Sequence, residues 1–254
     1  MPELLSIEVA IFLCGTFAAA FVTSLSGFAF AMVAAAIWLY ALPPSQASAF
    51  IAAYALIVQG YAVWKLRRLL DPHRLMPFIL GSALGIPLGV AALRWASPIY
   101  IRLGVGLLLV LFSLYNLARP QLPQMKQAGR AADGAVGVLN GVIGGATGLA
   151  GIVTVIWTSM RGWSRDEQRA VFQPTGVASF LMIILAFGGI GIITFDTVRL
   201  FLVGLPALAI GTWLGWILYG KLDEGAFRTV VLVLLLVSGA ALMASAWAMT
   251  SPHA

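Results

Sequence analysis

Apolar residues occur in long blocks along this chain, and polar residues are confined to short stretches between the blocks. Six blocks are uninterrupted, and each approaches the roughly 20 residues that a helix needs to cross about 30 Å of hydrocarbon. The predicted spans are residues 46–64, 75–93, 99–118, 169–187, 197–219 and 226–249. This pattern predicts an all-α polytopic membrane protein.

Two further apolar regions are interrupted by glycine and hydroxyl residues. The first, residues 7–42, breaks near Ser26-Gly27, and the second, residues 134–160, breaks near Thr147-Gly148. As one helix the second region would reach about 40 Å, whereas two crossings need about 60 Å. It is therefore predicted to be a re-entrant hairpin of two half-helices that enters and leaves on one side. The first region is long enough either for such a hairpin or for two near-complete crossings.

The two halves of the sequence are similar to each other. Ser26-Gly27 falls opposite Thr147-Gly148, and the GxxxG segment at residues 85–89 falls opposite that at 211–215. Such glycines let helices approach closely in lipid. The predicted organisation is a first transmembrane repeat (1–118), a cytoplasmic linker (119–133) and a second transmembrane repeat (134–254). Each repeat contains one broken hairpin and three spans, which gives about eight membrane segments.

Composition and charge agree with a membrane location. The chain is 61% hydrophobic and 9% charged, against about 25% charged residues in a soluble domain. Its net charge of +6 arises from Lys and Arg in short loops, which indicates topology and not nucleic-acid binding. Placing the more basic loops in the cytoplasm puts both termini outside and makes the repeats inverted. The expected location is a bacterial inner membrane.

The sequence offers little material for metal, redox or enzyme chemistry. Cys14 is the single cysteine, and the two histidines, His73 and His253, are far apart. No metal, no cofactor and no enzymatic activity are therefore expected. Few ionisable residues fall deep within the spans, which argues against a buried carboxylate relay.

Several short segments resemble the sulfite exporter TauE/SafE family, also called the TSUP permeases. They are Ser26-Gly27-Phe28-Ala29-Phe30 with Pro43-Pro44 following, the stretch 137–151, and Arg161-Gly162-Trp163-Ser164 leading to Arg169-Ala170. The chain departs from the family at Ala29, where glycine is frequent, and at Ile152-Val153, where prolines are frequent. The resemblance implies a carrier of small anions such as sulfite, sulfonates or organic acids.

The broken segments contain the candidate substrate-binding residues. Paired, glycine-interrupted segments point to the substrate site of a secondary transporter, and a helix N-terminus offers unpaired N–H groups to an anion. The candidates are Ser24, Ser26, Gly27, Asn140, Gly144, Gly145, Thr147, Gly148 and Gln173. The alternative is that the small residues only allow tight helix packing. Asn140 either contacts substrate or braces the hairpin, and Gln173 either lines the path or pairs with backbone that Pro174 loosens.

These features together predict a secondary transporter that works by alternating access around a midplane site at the two broken tips. An anion channel and a non-transporting membrane assembly subunit are the alternatives. The expected partners are a small anionic solute and the lipid bilayer, with a homo-oligomer possible and no nucleic acid. The identity of the anion, the direction of flux and the coupling ion stay open at this stage.

Overall fold

The chain is built from helices in a computed structural model that describes residues 7–26, 29–66, 70–118, 125, 128–218, 221 and 223–248. These ranges contain ten helices and no strand. In chain order the helices are α1 (Ile7–Ser26), α2 (Phe30–Ala41), α3 (Pro44–Leu66), α4 (Pro72–Trp95), α5 (Pro98–Ala118), α6 (Arg130–Thr147), α7 (Ile152–Met160), α8 (Arg165–Gly189), α9 (Phe195–Leu218) and α10 (Glu224–Ala248).

Six of these helices are long and apolar enough to cross a membrane, namely α1, α4, α5, α8, α9 and α10. The predicted class, an all-α polytopic membrane protein, is confirmed. Each of the six predicted uninterrupted spans is a helix, and these are α3, α4, α5, α8, α9 and α10. The predicted ends at Tyr219 and Met249 lie outside the described residues.

Local sequence signals determine where several helices begin. Pro44, Pro72 and Pro98 are the first residues of α3, α4 and α5, a position where the missing N–H costs nothing and the fixed φ suits a helix. A capping box starts α8. The N–H of Glu167 donates to Ser164 Oγ at 3.3 Å, and the N–H of Ser164 donates to Glu167 Oε2 at 2.9 Å. These two bonds satisfy otherwise unpaired donors of the first turn.

The helices form two compact units, each of which draws on both halves of the sequence. The α1–α9 unit contains α1, α2, α5, α9 and α10. The α4–α6 unit contains α4, α6, α7, α8 and α3 from Ser48 onwards. These two units are not the predicted repeats at 1–118 and 134–254. The repeats stay a prediction about the internal symmetry of the chain. Of the predicted linker, residues 130–133 form the first turn of α6, and 119–124, 126 and 127 lie outside the described residues.

Backbone contact between α4 and α6 organises the α4–α6 unit. A Cβ added at Gly85 would collide with the carbonyl oxygen of Val138, and one added at Gly145 would lie 2.5 Å from that of Ile86. The glycines that face the opposite backbone in this way are Gly81, Gly85 and Gly89 of α4 and Gly137, Gly141 and Gly145 of α6. This stripe of glycines permits an approach that any larger side chain would prevent.

The α1–α9 unit contains an equivalent pairing. A Cβ at Gly211 would lie 2.5 Å from the carbonyl oxygen of Phe17, and one at Gly215 would lie 2.8 Å from that of Phe21. In each unit, the GxxxG helix of one sequence half packs on the first helix of the other half. Corresponding helices of the two sequence halves therefore pair in the same way twice, as the predicted repeat requires.

The first broken region is one long helix followed by one short helix. Ala29 separates them with φ of 87°, a left-handed conformation. Trp38 fixes α2 on α1, because its Nε1–H donates to the carbonyl of Phe12 at 3.1 Å and the two rings stack at 5.2 Å. The α2 helix has 12 residues, so the region contains neither two half-helices nor two near-complete crossings.

Candidate substrate site

The second broken region is a helical hairpin whose two helices have unequal lengths. The α6 helix has 18 residues and α7 has nine. The predicted break near Gly148 is confirmed, since Gly148 and Gly151 have φ of 77° and 106°. The prediction of two half-helices is wrong in one respect, because at 1.5 Å per residue α6 extends about 27 Å and only α7 is short.

Four of the candidate residues close α6 and do not begin α7. Gly144, Gly145 and Thr147 are in the last turn of α6, and Gly148 is its C-cap. The Thr147 hydroxyl donates to the carbonyl of Ile143 at 2.6 Å and accepts from the N–H of Leu149 at 3.2 Å. The expectation that these residues form a helix N-terminus is therefore wrong, and the N-terminus lies four residues further on.

Glycine is required at the turn for two reasons. At Gly144 a Cβ would lie 2.8 Å from the Cβ of Ala150, so the turn folds back onto α6 only without a side chain. At Gly148 a Cβ would lie 3.0 Å from the carbonyl oxygen of Ser48 and 3.2 Å from the Cβ of Ile51, both on α3. The left-handed φ of Gly148 would strain any other residue as well. The turn is thus held between α6 and α3.

Asn140 connects the turn to three helices. Its Oδ1 accepts from the N–H of Gly151 at 2.6 Å, and its Nδ2 donates to Ser82 Oγ at 3.2 Å and Ser179 Oγ at 3.3 Å. The Ser82 hydroxyl in turn donates to the carbonyl of Gly137 at 3.1 Å. Asn140 is only 1% exposed. These contacts match the bracing alternative, because its amide groups are already engaged by protein partners.

The first turn of α7 contains backbone donors that have no partner among the residues that the structure describes. The N–H groups of Ile152, Val153 and Thr154 precede the first intrahelical bond, in which Val155 N–H donates to the carbonyl of Gly151 at 2.8 Å. Thr154 is fully buried, and its hydroxyl has no hydrogen-bond partner in the part of the chain that the structure describes. Nothing lies within 4 Å of a Cβ placed at Gly151. Space and unpaired donors therefore occur together at this terminus.

Gln173 lies on α8, which packs against α7. The connection between them is only residues 161–164, so the two helices run in opposite directions. Ile152 is the first of nine residues in α7, and Gln173 is the ninth residue of α8, which places them at about the same level. Gln173 is 6% exposed, and its Oε1 has no partner among the described residues. The structure therefore offers no support for the alternative that it pairs with backbone loosened by Pro174.

The base of the hairpin is fixed by a buried carboxylate. Asp133 accepts from Trp157 Nε1 at 2.7 Å and forms an ion pair with Arg161 at 3.4 Å. Arg161 also donates to the carbonyl of Ala128 and lies 5.2 Å above the Trp163 ring. Both ends of α7 are thus attached to α6, the base through Asp133 and the tip through Asn140.

The family model described as sulfite exporter TauE/SafE matches residues 11–242. The chain belongs to this family. No curated protein and no solved structure matches it significantly. Membership of the TauE/SafE family makes the protein a multi-pass membrane transporter for sulfite-type anions, and its substrate is a small anionic solute.

The tip of the first broken region in this TauE/SafE protein is described only in part. The Ser24 hydroxyl donates to the carbonyl of Ala20 at 2.9 Å, and a Cβ at Gly215 would lie 2.5 Å from the Cβ of Ser24. Ser26 is the last residue of α1, and its side chain is outside the described set. Gly27 lies outside the described residues altogether. Ser24 is therefore seen in a packing role.

Sequence reasoning missed Thr154, Ser82 and Ser179. Each is a hydroxyl residue within an apolar stretch of helix, a pattern that occurs in many membrane helices without functional meaning. The available signal was position, because Thr154 comes three residues after the last glycine of the break. Within the described residues, no group of three or more His, Cys, Asp or Glu side chains is placed to hold a metal.

Proposed function

We propose that this TauE/SafE protein is a secondary transporter that carries small oxyanions such as sulfite, sulfonates or organic acids. The observation that carries the proposal is the α7 N-terminus, where three backbone donors and the buried Thr154 hydroxyl lack partners within the described part of the chain. A helix N-terminus has about half a positive charge and donors directed out of the helix, which suit an anion. Short helices ending within the membrane are typical of secondary-transporter sites.

In this proposal, the candidate residues divide into binding and framing groups. The N–H groups of α7, the Thr154 hydroxyl and Gln173 contact the anion. Asn140 and Gly148 hold the turn so that these donors keep their positions. Gly144, Gly145 and Thr147 allow α6 to end and the chain to turn back. Ser26 and Gly27 keep their predicted role as the equivalent tip of the first repeat, whereas Ser24 packs against Gly215 beside it.

Alternating access is the proposed mechanism, with inverted repeats of residues 1–118 and 134–254 that exchange inward-open and outward-open states. The proposed location is a bacterial inner membrane with both termini outside, because that orientation puts the more basic loops in the cytoplasm. The glycine stripes support such motion, since small residues leave no interlocking side chains between the packed backbones.

Flux into proteoliposomes tests the proposal directly. Purified protein is reconstituted, and sulfite uptake is measured against protein-free vesicles, with methanesulfonate and acetate as competitors. We expect saturable uptake that methanesulfonate inhibits. Gly148→Leu should reduce it by more than about tenfold, since a side chain there collides with α3 and strains the turn.

Gly189→Ala is the matched control, because its Cβ direction is open and it lies at the far end of α8. Normal uptake by Gly148→Leu, or no uptake of any of the three anions by a folded protein, would contradict the proposal. Ionic conductance without counterflow exchange would favour a channel. A folded protein without flux, whose stability is unchanged by both Ser26→Ala and Thr154→Val, would favour a role as an assembly subunit.

A further inference from the structure

We propose that sulfite is carried as hydrogen sulfite, a singly charged oxyanion with one hydrogen, and that Gln173 Oε1 accepts that hydrogen. The inference rests on the proposed function and adds the protonation state of the substrate to it. It follows from two sets of groups that have no partner among the described residues, namely the donors at the α7 N-terminus and the acceptor Gln173 Oε1 at about the same level of α8.

The donors account for the negative oxygens of the substrate. The N–H groups of Ile152, Val153 and Thr154 have no intrahelical acceptor, and the Thr154 hydroxyl is unpartnered and fully buried. An oxyanion has several acceptor oxygens and can take bonds from all of these groups. These donors alone would serve a monoanion and a dianion equally well.

The acceptor distinguishes the two forms. Gln173 Oε1 is a carbonyl oxygen, which accepts hydrogen bonds and cannot donate them. It is buried without a partner at the level where α7 begins. Fully deprotonated sulfite has no hydrogen to donate, and its negative oxygens would be repelled by this carbonyl oxygen. The O–H of hydrogen sulfite satisfies it, whereas the opposite orientation of the amide would present N–H groups and favour the dianion.

The distribution of charge also favours a monoanion. The α7 helix has no charged residue, and those of α6 are Arg130 and Asp133 in its first turn. On the helices packed around α6 and α7, the other titratable groups lie near helix ends, except for Tyr54 and Tyr61 within α3. The groups near helix ends are Arg165, Asp166, Glu167 and Arg169 of α8, His73, Arg74 and Arg94 of α4, and Lys65 of α3. The half charge of one helix terminus offsets a single negative charge far better than two.

The pH dependence of flux tests the inference. Initial rates of sulfite uptake are measured in proteoliposomes with equal pH on both sides, below and above the pKa at which hydrogen sulfite loses its proton. We expect the rate at fixed total sulfite to fall about tenfold for each pH unit above that pKa, as the fraction of hydrogen sulfite does. Methanesulfonate is the control anion, since it has no titratable hydrogen and reports any effect of pH on the protein itself.

The variant Gln173→Leu tests the role of the acceptor. It should lower kcat/KM for sulfite at least about tenfold more than kcat/KM for methanesulfonate, whose methyl group tolerates an apolar neighbour. Gln59→Leu is the matched control, because Gln59 lies on α3 against Gly176 and the proposal gives it no contact with substrate. Thermal melting of both variants checks that they are folded.

Each outcome bears on one of the two proposals. Sulfite uptake that rises with pH, or a sulfite-to-methanesulfonate ratio unchanged in Gln173→Leu, overturns the hydrogen-sulfite inference and leaves anion transport intact. Absence of uptake of either anion by the folded wild-type protein overturns the proposed function, and the inference falls with it.

Discussion

The side-chain oxygen of Asn140 accepts a hydrogen bond at 2.6 Å from the backbone N–H of Gly151, eleven residues further along the chain. The bond closes the hairpin turn from within, since Asn140 is on α6 and Gly151 immediately precedes α7. It also engages the N–H of Gly151, the donor that immediately precedes α7. The donors of α7 are thereby held in a fixed direction.

Removing the Asn140 side chain should loosen this turn. Asn140→Ala leaves the part-buried N–H of Gly151 without this partner, and we expect a loss of about 1–3 kcal/mol in the free energy of unfolding. Thermal melting in detergent measures the stability, and proteoliposome flux measures the function. Ser179→Ala removes only one acceptor of the Asn140 amide and should cost less. Equal stability of Asn140→Ala and wild type would show that the bond does not support the fold.

The contact between α4 and α6 should be intolerant of a single methyl group. Gly85→Ala places its Cβ against the carbonyl of Val138, and we expect a destabilisation of about 1–3 kcal/mol from overpacking. Gly60→Ala is the control, because nothing lies within 4 Å of its Cβ and it is inside α3. That change should be neutral or stabilise by up to about 1 kcal/mol through helix propensity. The same melting temperature for both variants would contradict the close packing.

Replacing Ala29 by glycine should stabilise the protein. The Ala29 φ of 87° is left-handed, which costs a residue with a Cβ about 1–2 kcal/mol. Ala29→Gly should therefore raise stability by about 1 kcal/mol without loss of flux. Ala31→Gly, two residues along within α2, should instead lower stability by about 1 kcal/mol. Melting curves that move the same way in both variants would refute the strain at Ala29.

The base of the hairpin should depend on the charge pair there. Asp133→Ala leaves the Arg161 guanidinium, which is 11% exposed, without its carboxylate, and we expect a loss of about 3–5 kcal/mol. Asp133→Asn keeps an acceptor for Trp157 Nε1 and should lose less. The double variant Asp133→Ala with Arg161→Met should recover part of the stability. Additive losses in this cycle, measured by denaturation, would argue against direct coupling of the pair.

Hydrophobic patterning was sufficient to locate six helices, because lipid requires long apolar helices and permits few alternatives. All of them but α3 are long and apolar enough to cross a membrane, whereas α1, the sixth such helix, lay in the first broken region. Glycine clusters located the breaks for a similarly strong reason, since Gly148 and Gly151 adopt left-handed φ values. The helix ends were harder to predict. Gly148 donates its N–H to the carbonyl of Gly144 at 2.7 Å, so α6 runs up to the glycine and leaves only α7 short.

The polar contacts at the site could not be predicted from spacing. Asn140 meets Ser82 and Ser179, which are 58 and 39 residues away in sequence. No periodic pattern relates such positions, because each is a hydroxyl residue in a different apolar helix. Asn140 and Gln173 were recognisable as candidates because an amide in a membrane helix needs a partner. Thr154 had no such signal, since threonine in a helix commonly bonds to its own backbone.

The exchange of helices between sequence halves has a consequence for biosynthesis. The helices α1 and α4 are made early, yet their closest partners, α9 and α6, emerge later from the ribosome. Until then, the faces of α1 and α4 that will pack on these partners are exposed to lipid or to the insertion machinery. A chain truncated after α5 would lack both partners. We therefore expect such a nascent fragment to insert in the membrane and yet be open to proteolysis, because each unit becomes compact only after its later helices, including α6 or α9, have been made.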